Sequence, residues 1–281
     1  IQWEKCFGGH AYDYGTSIQQ TTDGGFIVTG SSNSTNGDVS GNHGNYDVWV
    51  VKLSATASIQ WQRSLGGSMD DNAYSIQQTT DSGYIIAGRS YSTDGDVTGH
   101  HGTVGNADFW IVKLSQGGSL QWQKSLGGSQ HDNAMSVQQT SDNGYIVAGD
   151  TYSTDGDVTG NHGGEDFWVV RLSSSGTLQW QKALGGTGSD YAQSVLQEED
   201  GGYIIAGGSN SADGDITNNL GSGDLWIVKL SSAGGLLWQK SFGSSHNDAA
   251  NSIRQTSDGG YIVSGWVTFN DADVTGFHGS S

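Results

Sequence analysis

The chain has 281 residues, with 46 glycines, no proline, one cysteine and a formal charge of −18. Glycine without a G-X-Y period excludes collagen, apolar runs of only a few residues exclude a transmembrane helix, and 10 Trp, 11 Tyr and 7 Phe exclude a disordered acidic tail. Cys6 alone supports neither an internal disulfide nor a thiolate zinc site, and 11 Lys+Arg against 29 Asp+Glu argue against nucleic acid as a partner.

From the N-terminus onward one pattern recurs. Trp3, Trp61, Trp122, Trp180 and Trp238 are spaced by 58, 61, 58 and 58 residues, which marks a repeat architecture. The long spacing comes from an insertion near Thr103, in a loop. The second full repeat shows the elements in order. Leu120–Leu126 alternates apolar and polar residues and predicts a half-buried strand. Gly127 and Gly128 end it, and residues 134–140 predict the next strand. Asp142 and Gly144 supply a tight hairpin. Residues 144–149 form a β-branched run predicted to be buried on both faces. After a polar stretch, Asp166–Leu172 predicts the fourth strand. The absence of proline fits a chain made of sheet ladders.

Four strands in about 58 residues predict an all-β fold, a five-bladed β-propeller of four-stranded repeats. An open β-solenoid is the competing array, and its coils are shorter. The repeats run over residues 1–58, 59–119, 120–177, 178–235 and 236–281, read as one domain over 1–281. The Asp-x-Trp-Val-Val-Lys-Leu strand occurs four times and the other three strands five times, so the fifth blade lacks one strand. Continuation in a longer polypeptide is the expectation, with strand donation by a partner as the alternative.

The phrases Trp122-Gln-Lys-Ser-Leu-Gly-Gly, Thr140-Ser-Asp-Asn-Gly-Tyr-Ile-Val-Ala-Gly, Ser153-Thr-Asp-Gly-Asp-Val-Thr-Gly-Asn-His-Gly and Asp166-Phe-Trp-Val-Val-Arg-Leu resemble the repeats of secreted bacterial propeller proteins. Such proteins are common in Bacteroidetes and are associated with type IX secretion. The resemblance implies a secreted or cell-surface location and no particular activity. The Thr140-Ser-Asp142-Asn-Gly144 element also resembles the Asp-box hairpin of sialidases, where the Asp is structural. Asp23, Asp81, Asp142, Asp200 and Asp258 are accordingly expected to bind their own turns. The arginines Arg63, Arg89, Arg171 and Arg254 are scattered over different repeat positions, which does not suit a sialidase.

The polar loop carries Asp94-Gly-Asp96, Asp155-Gly-Asp157 and Asp213-Gly-Asp215, followed by Asp108, Asp166 and Asp224. Three carboxylates and a glycine bend match the oxygen chemistry of Ca²⁺, so these nine residues are the predicted metal ligands; turn capping is the alternative. His43, His101, His162 and His278 recur in the same loop, one per blade, too few locally for zinc. Tyr91 and Tyr152 precede the Asp pairs and are the predicted ligand-binding residues, since tyrosine beside Asp and Asn suits sugars. The repeated Trp61-type residues are read as blade core. No nucleophile–base pair, paired glutamates or phosphate loop stands out, so no catalytic residue is assigned. The expected function is a non-catalytic binding, adhesion or structural module with glycan or surface-protein partners. A multivalent lectin is the alternative, and a five-bladed glycoside hydrolase would need a carboxylate pair at glycosidase separation.

Overall fold

The computed structural model describes residues 3–103 and 105–276 of the chain. It forms two compact units, residues 1–139 and 140–281, each described by itself. Alternating Val, Ile, Trp and Tyr with Gly-Asp punctuation produces strands throughout, and among the described residues there is no helix. Nor, therefore, is there a helix long and apolar enough to cross a membrane.

The first unit contains β1 (Asp13–Gln20), β2 (Phe26–Ser32), β3 (Asp47–Leu53), β4 (Ile59–Leu65), β5 (Asp71–Gln78), β6 (Tyr84–Ser90), β7 (Asp108–Leu114), β8 (Leu120–Leu126) and β9 (Asp132–Gln139). Two antiparallel sheets form, β1-β2-β3-β4 and β5-β6-β7-β8. The second unit contains β10 (Tyr145–Thr151), β11 (Asp166–Leu172), β12 (Leu178–Leu184), β13 (Asp190–Gln197), β14 (Tyr203–Ser209), β15 (Asp224–Leu230), β16 (Leu236–Phe242), β17 (Asp248–Gln255) and β18 (Tyr261–Val267). Here β10, β11 and β12 pair in sequence, β13-β14-β15-β16 make a complete sheet, and β17-β18 make a two-stranded one. The architecture is all-β, in propeller-type blades, with a fifth sheet short of strands.

The sheets are phased differently from the sequence repeat. A blade begins at the Asp-led strand and ends with the Trp-Gln strand that opens the next sequence repeat. The boundaries at 59, 120, 178 and 236 therefore fall before the outer strand of a sheet, not between sheets. The Trp3 segment is also not in a ladder; residues 3–12 carry no strand. Its ring nevertheless packs edge-on against Phe26, centroids 5.7 Å apart, as Trp61 packs against Tyr84 at 5.7 Å and Trp180 against Tyr203 at 5.8 Å. The outer-strand Trp of one sheet thus covers the second strand of the next, in line with the blade-core reading.

The core lies between successive sheets. Ile27, Val48 and Val50 of the first sheet interdigitate with Ala73, Ile76, Tyr84, Ile86, Trp110, Val112 and Leu114 of the second. The β6 and β7 strands are buried along nearly their whole length, as a central strand covered on both faces must be. A second repeated device ties strands three and four together. The indole Nε1 of Trp49, Trp110, Trp168 and Trp226 donates to the Oε1 of Gln62, Gln123, Gln181 and Gln239 at 2.8–2.9 Å. Each glutamine amide then donates to the hydroxyl of Ser40, Thr98, Thr159 or Thr217 in the polar loop. A buried indole N–H needs such a partner.

Four of the first strands, β1, β5, β13 and β17, carry a bulge. Register shifts between Ala73 and Ser75 opposite Gly88, and at the matching places in β1, β13 and β17. A side chain on Gly88 would place Cβ 1.8 Å from the Asn72 carbonyl oxygen, so only glycine permits this approach. The bulge re-aims the residues ahead of it, and that end of the blade carries the surface described next.

Candidate functional surface

The two ends of a blade do different work. At the hairpin end, Asp81 Oδ1 accepts from Gly83 N–H at 3.0 Å and from Thr79 Oγ1. Asp23, Asp142, Asp200 and Asp258 accept the matching turn N–H, the structural role expected of them. The sequence reading missed the partner from the third strand. Lys113 Nζ donates to Asp81 at 2.9 Å, and Lys52, Arg171 and Lys229 reach Asp23, Asp142 and Asp200 in the same way. Hydrogen bonds from Thr79, Lys113 and Gly83 outweigh burial and pull Asp81 down to about 2. These carboxylates are fully engaged in the turn.

At the other end, register brings Asp71, Ser90 and Asp108 side by side. Asp71 accepts from Gly67 N–H at 2.7 Å, from Ser92 Oγ at 2.8 Å and from Ser90 Oγ. Burial still dominates and pushes its carboxyl up to about 6. Asp47, Asp108 and Asp166 each accept from the backbone N–H and Nδ1 of the loop histidine, His43, His101 or His162. Asp224 accepts from Leu220 N–H, so the backbone carries the series where the imidazole is missing. One oxygen of each of these four buried carboxylates has no protein partner. Desolvation raises the pKa of Asp47, Asp166 and Asp224. His278 lies outside the described residues.

The nine predicted calcium ligands do not gather loop by loop, although Asp166 and Asp215 come together at His162, 2.8 Å from its Nδ1 and 4.0 Å from its Nε2. Asp94 caps Ser68 N–H at 2.7 Å and Asp96 accepts from Gly66 N–H at 3.3 Å. Asp213 and Asp215 do the same for Thr187 at 2.8 Å and Gly185 at 3.3 Å. In each case the loop turns back to the link after the preceding fourth strand. The carbonyl of Asp155 accepts from Val158 N–H at 3.1 Å, and Asp157 is half-buried in the matching position of its loop. Asp108, Asp166 and Asp224 sit instead at the starts of β7, β11 and β15, against the loop histidines or Leu220. Among the described residues no group of three His, Cys, Asp or Glu is placed to hold a metal ion.

The surface at this end is aromatic. Arg89 lies 5.8 Å from the Tyr74 ring centroid and 5.4 Å from that of the predicted Tyr91. Its Nη1 donates to Asn133 Oδ1 at 3.1 Å and its Nε faces Asn72 Oδ1 at 3.5 Å. Tyr91 meets His131 edge-on at 5.7 Å, and burial followed by Arg89 lowers the pKa of that imidazole. Further along the first unit Tyr12, Tyr14 and Tyr46 form a row, with centroids 6.3 and 6.0 Å apart; Tyr12 and Tyr14 are exposed. In the second unit Tyr152 is exposed, and burial together with neighbouring Glu165 pushes its hydroxyl up to about 12. His246 stacks on Phe269 at 4.6 Å. Tyr74 is the bulged residue of β5, and alternation alone assigns it to the wrong face, which is why the sequence reading passed over it. The rings offer stacking faces, and the asparagines and Arg89 offer hydrogen bonds; beside the His246–Phe269 pair, Ser245 Oγ lies 2.9 Å from His246 Nδ1.

No family model matches the chain. It is 25% identical over 214 residues to the regulatory protein FlaEY of Caulobacter vibrioides, covering 69% of this chain and 22% of that protein. The chain thus spans about a fifth of the length of that curated relative. Among solved structures it is similar to a protein of unknown function from Bacteroides caccae, with a TM-score of 0.43 at 10% identity over 81% of this chain and 67% of that one. It is also similar to the WD40 domain of Neurospora crassa Pan2, with a TM-score of 0.45 at 10% identity over 86% and 68%.

Proposed function

We propose that the chain is a non-catalytic binding module of an exported protein, and that its ligands are glycans held at the aromatic end of the blades. The observation that carries this reading is the Tyr74–Arg89–Tyr91 stack with Asn72 and Asn133 beside it, continued by the exposed Tyr12 and Tyr14. Tyrosine faces cover the apolar face of a sugar ring, while amides and a guanidinium satisfy its hydroxyls. The hairpin carboxylates of Asp23, Asp81, Asp142 and Asp200 are held by their own turns and by a third-strand lysine or arginine, which favours binding over hydrolysis. Each blade end differs in its aromatic residues, so the sites are unequal and a multivalent surface gains by avidity. The resemblance of the repeats to secreted propellers supports an extracellular location.

A glycan array probed with protein at high surface density tests this. Binding lost in Arg89→Ala and Tyr91→Ala, with unchanged melting, is the expected result. An array blank for the wild-type protein removes the glycan reading and leaves a protein partner.

A further inference from the structure

The third-strand cation that fastens each hairpin also stands near a tyrosine of the following sheet, and the junctions within a unit treat that phenol differently. Arg171 Nε donates to Tyr203 Oη at 3.0 Å, while its Nη2 binds Asp142. Tyr261 Oη donates to one oxygen of Glu198, whose other oxygen takes the Lys229 ammonium. In both places the phenol has the hydrogen-bond partner that burial demands.

Tyr84 opens β6 in the matching position and has neither partner. Lys52 stands where Arg171 does, and its single Nζ is committed to Asp23 at 2.9 Å and to the Leu53 carbonyl at 3.0 Å. Thr21 stands where Glu198 does. Tyr84 is fully buried, and its hydroxyl has no protein partner. Burial, followed by the Asp23 charge, pushes that hydroxyl up to about 12, so it keeps its proton and can donate. A buried phenol of this kind calls for a partner from outside the protein.

A cavity of about 280 Å³ adjoins it, between the hairpin ends of the first and second sheets. Trp61 and Tyr84, whose rings meet edge-on at 5.7 Å, form its apolar wall. Gln60, Gln78 and Gln116 line it with amides, and the Lys52–Asp23 pair borders it. That pair neutralises itself at 2.9 Å, leaving no net charge to draw in an ion. The amides and the phenol both donate and accept, and the half-exposed Asp23 accepts. Aromatic walls with polar groups of both kinds match a ring that carries hydroxyls on an apolar frame. Pockets for drug-sized ligands begin at roughly 300 Å³, so this one takes a single ring and not a chain.

We propose that this cavity is a second binding site, for one neutral sugar ring, with Tyr84 Oη bonding a hydroxyl at its floor and the exposed Gln60 and Gln116 bonding others at its mouth. The ring arrives either as a free monosaccharide or as the end of a glycan. The site is separate from the aromatic end of the blades, because Tyr84 and Arg89 lie at opposite ends of β6.

Titration of the full chain with glucose, galactose, mannose and N-acetylglucosamine, followed by calorimetry and by the NMR signals of the tryptophan indoles, tests this. At least one of these sugars is expected to bind the wild-type protein and to move the Trp61 signal. Tyr84→Phe keeps the ring and removes only an unpartnered hydroxyl, and Gln60→Ala alters an exposed side chain, so both variants keep the wild-type melting curve. Each is expected to weaken binding about tenfold, while Arg89→Ala leaves it unchanged. The corresponding methyl glycosides identify the source: retained binding means a chain end, and binding of the reducing sugar alone means a free monosaccharide. No binding by any of the four sugars, or an affinity that survives Tyr84→Phe, overturns the proposal and leaves the cavity to water. Binding lost in Arg89→Ala and kept in Tyr84→Phe also overturns it and puts the sugar at the aromatic end, so the two sites fail separately.

Discussion

Replacing Asp81 by alanine isolates the device that fastens each hairpin to the third strand. The Lys113 side chain is 3% exposed and the Asp81 side chain 54%, so the two partners do not lose equally when separated. Without Asp81, the Lys113 ammonium keeps only the Leu114 carbonyl and the Gln121 amide oxygen, each at 3.1 Å. The turn also loses its acceptor for Gly83 N–H and Thr79 Oγ1. Breaking a fully buried pair from one side costs about 3–5 kcal/mol. Water reaches this site from the Asp81 side, so about 2–3 kcal/mol is expected here. Lys113→Met is different. The half-exposed carboxylate keeps its turn donors and gains water, and the thioether fills the buried stem, so the cost is about 1 kcal/mol or less. The double variant no longer strands an ammonium and retains only the loss of the turn, about 1–2 kcal/mol. Urea unfolding of the four proteins, followed by tryptophan fluorescence, closes the cycle. A Lys113→Met cost equal to that of Asp81→Ala, or strictly additive effects, would refute the reasoning.

Four further outcomes follow from the same contacts. Gly88→Ala drives a methyl into the Asn72 carbonyl and should cost more than about 3 kcal/mol, read as a fall in soluble yield and melting temperature; a tolerated alanine would contradict the bulge. Ile76→Ala, at a junction where the side chain is 5% exposed, should cost about 2–4 kcal/mol, read as a lower melting temperature; an unchanged midpoint would mean that the junction repacks around the loss. The folded-state pKa of Asp71 lies near 6, above the ordinary 3.8, so its stability contribution is lost as pH rises through 6 and regained on acidification. That shift is worth up to about 3 kcal/mol. Asp81, pulled down to about 2, behaves oppositely and is lost only as pH falls from 3.8. Melting temperature should therefore rise from about pH 7 to pH 4.5 and then fall; a steady decline across that range, or an unchanged profile in Asp71→Asn, would count against this. Finally, melting with EDTA and with added Ca²⁺ should give one midpoint, and a calcium-dependent rise would show a cation held by the loops.

The strands were legible in the sequence because alternation, β-branched runs and Gly-Asp turns act locally. The third strands at 48–53, 109–114, 167–172 and 225–230 needed no tertiary information. Pairing was not legible. A periodic sequence has no marked start, and nothing in Trp122-Gln-Lys-Ser-Leu says whether it closes one sheet or opens the next. The Asp–His pairs were obscured because Leu220 breaks the histidine series, although the bond that persists there comes from a backbone N–H. Lys52, Lys113 and Lys229 interrupt otherwise apolar strands, and only the fold brings the hairpin carboxylates to them. Tyr91 was visible as a loop tyrosine; Arg89 and Tyr74 became its neighbours through a bulge that the sequence marks only with Gly88.

The offset between the sequence period and the sheets has one more consequence. Because each Trp-Gln strand belongs to one sheet and its ring covers the next, a stretch of one period cut at any point contains every surface needed for a junction. Insertion or deletion of a whole period by recombination therefore leaves all remaining contacts matched, wherever the crossover falls. Blade number in such a chain can change in a single genetic event, without a compensating mutation elsewhere.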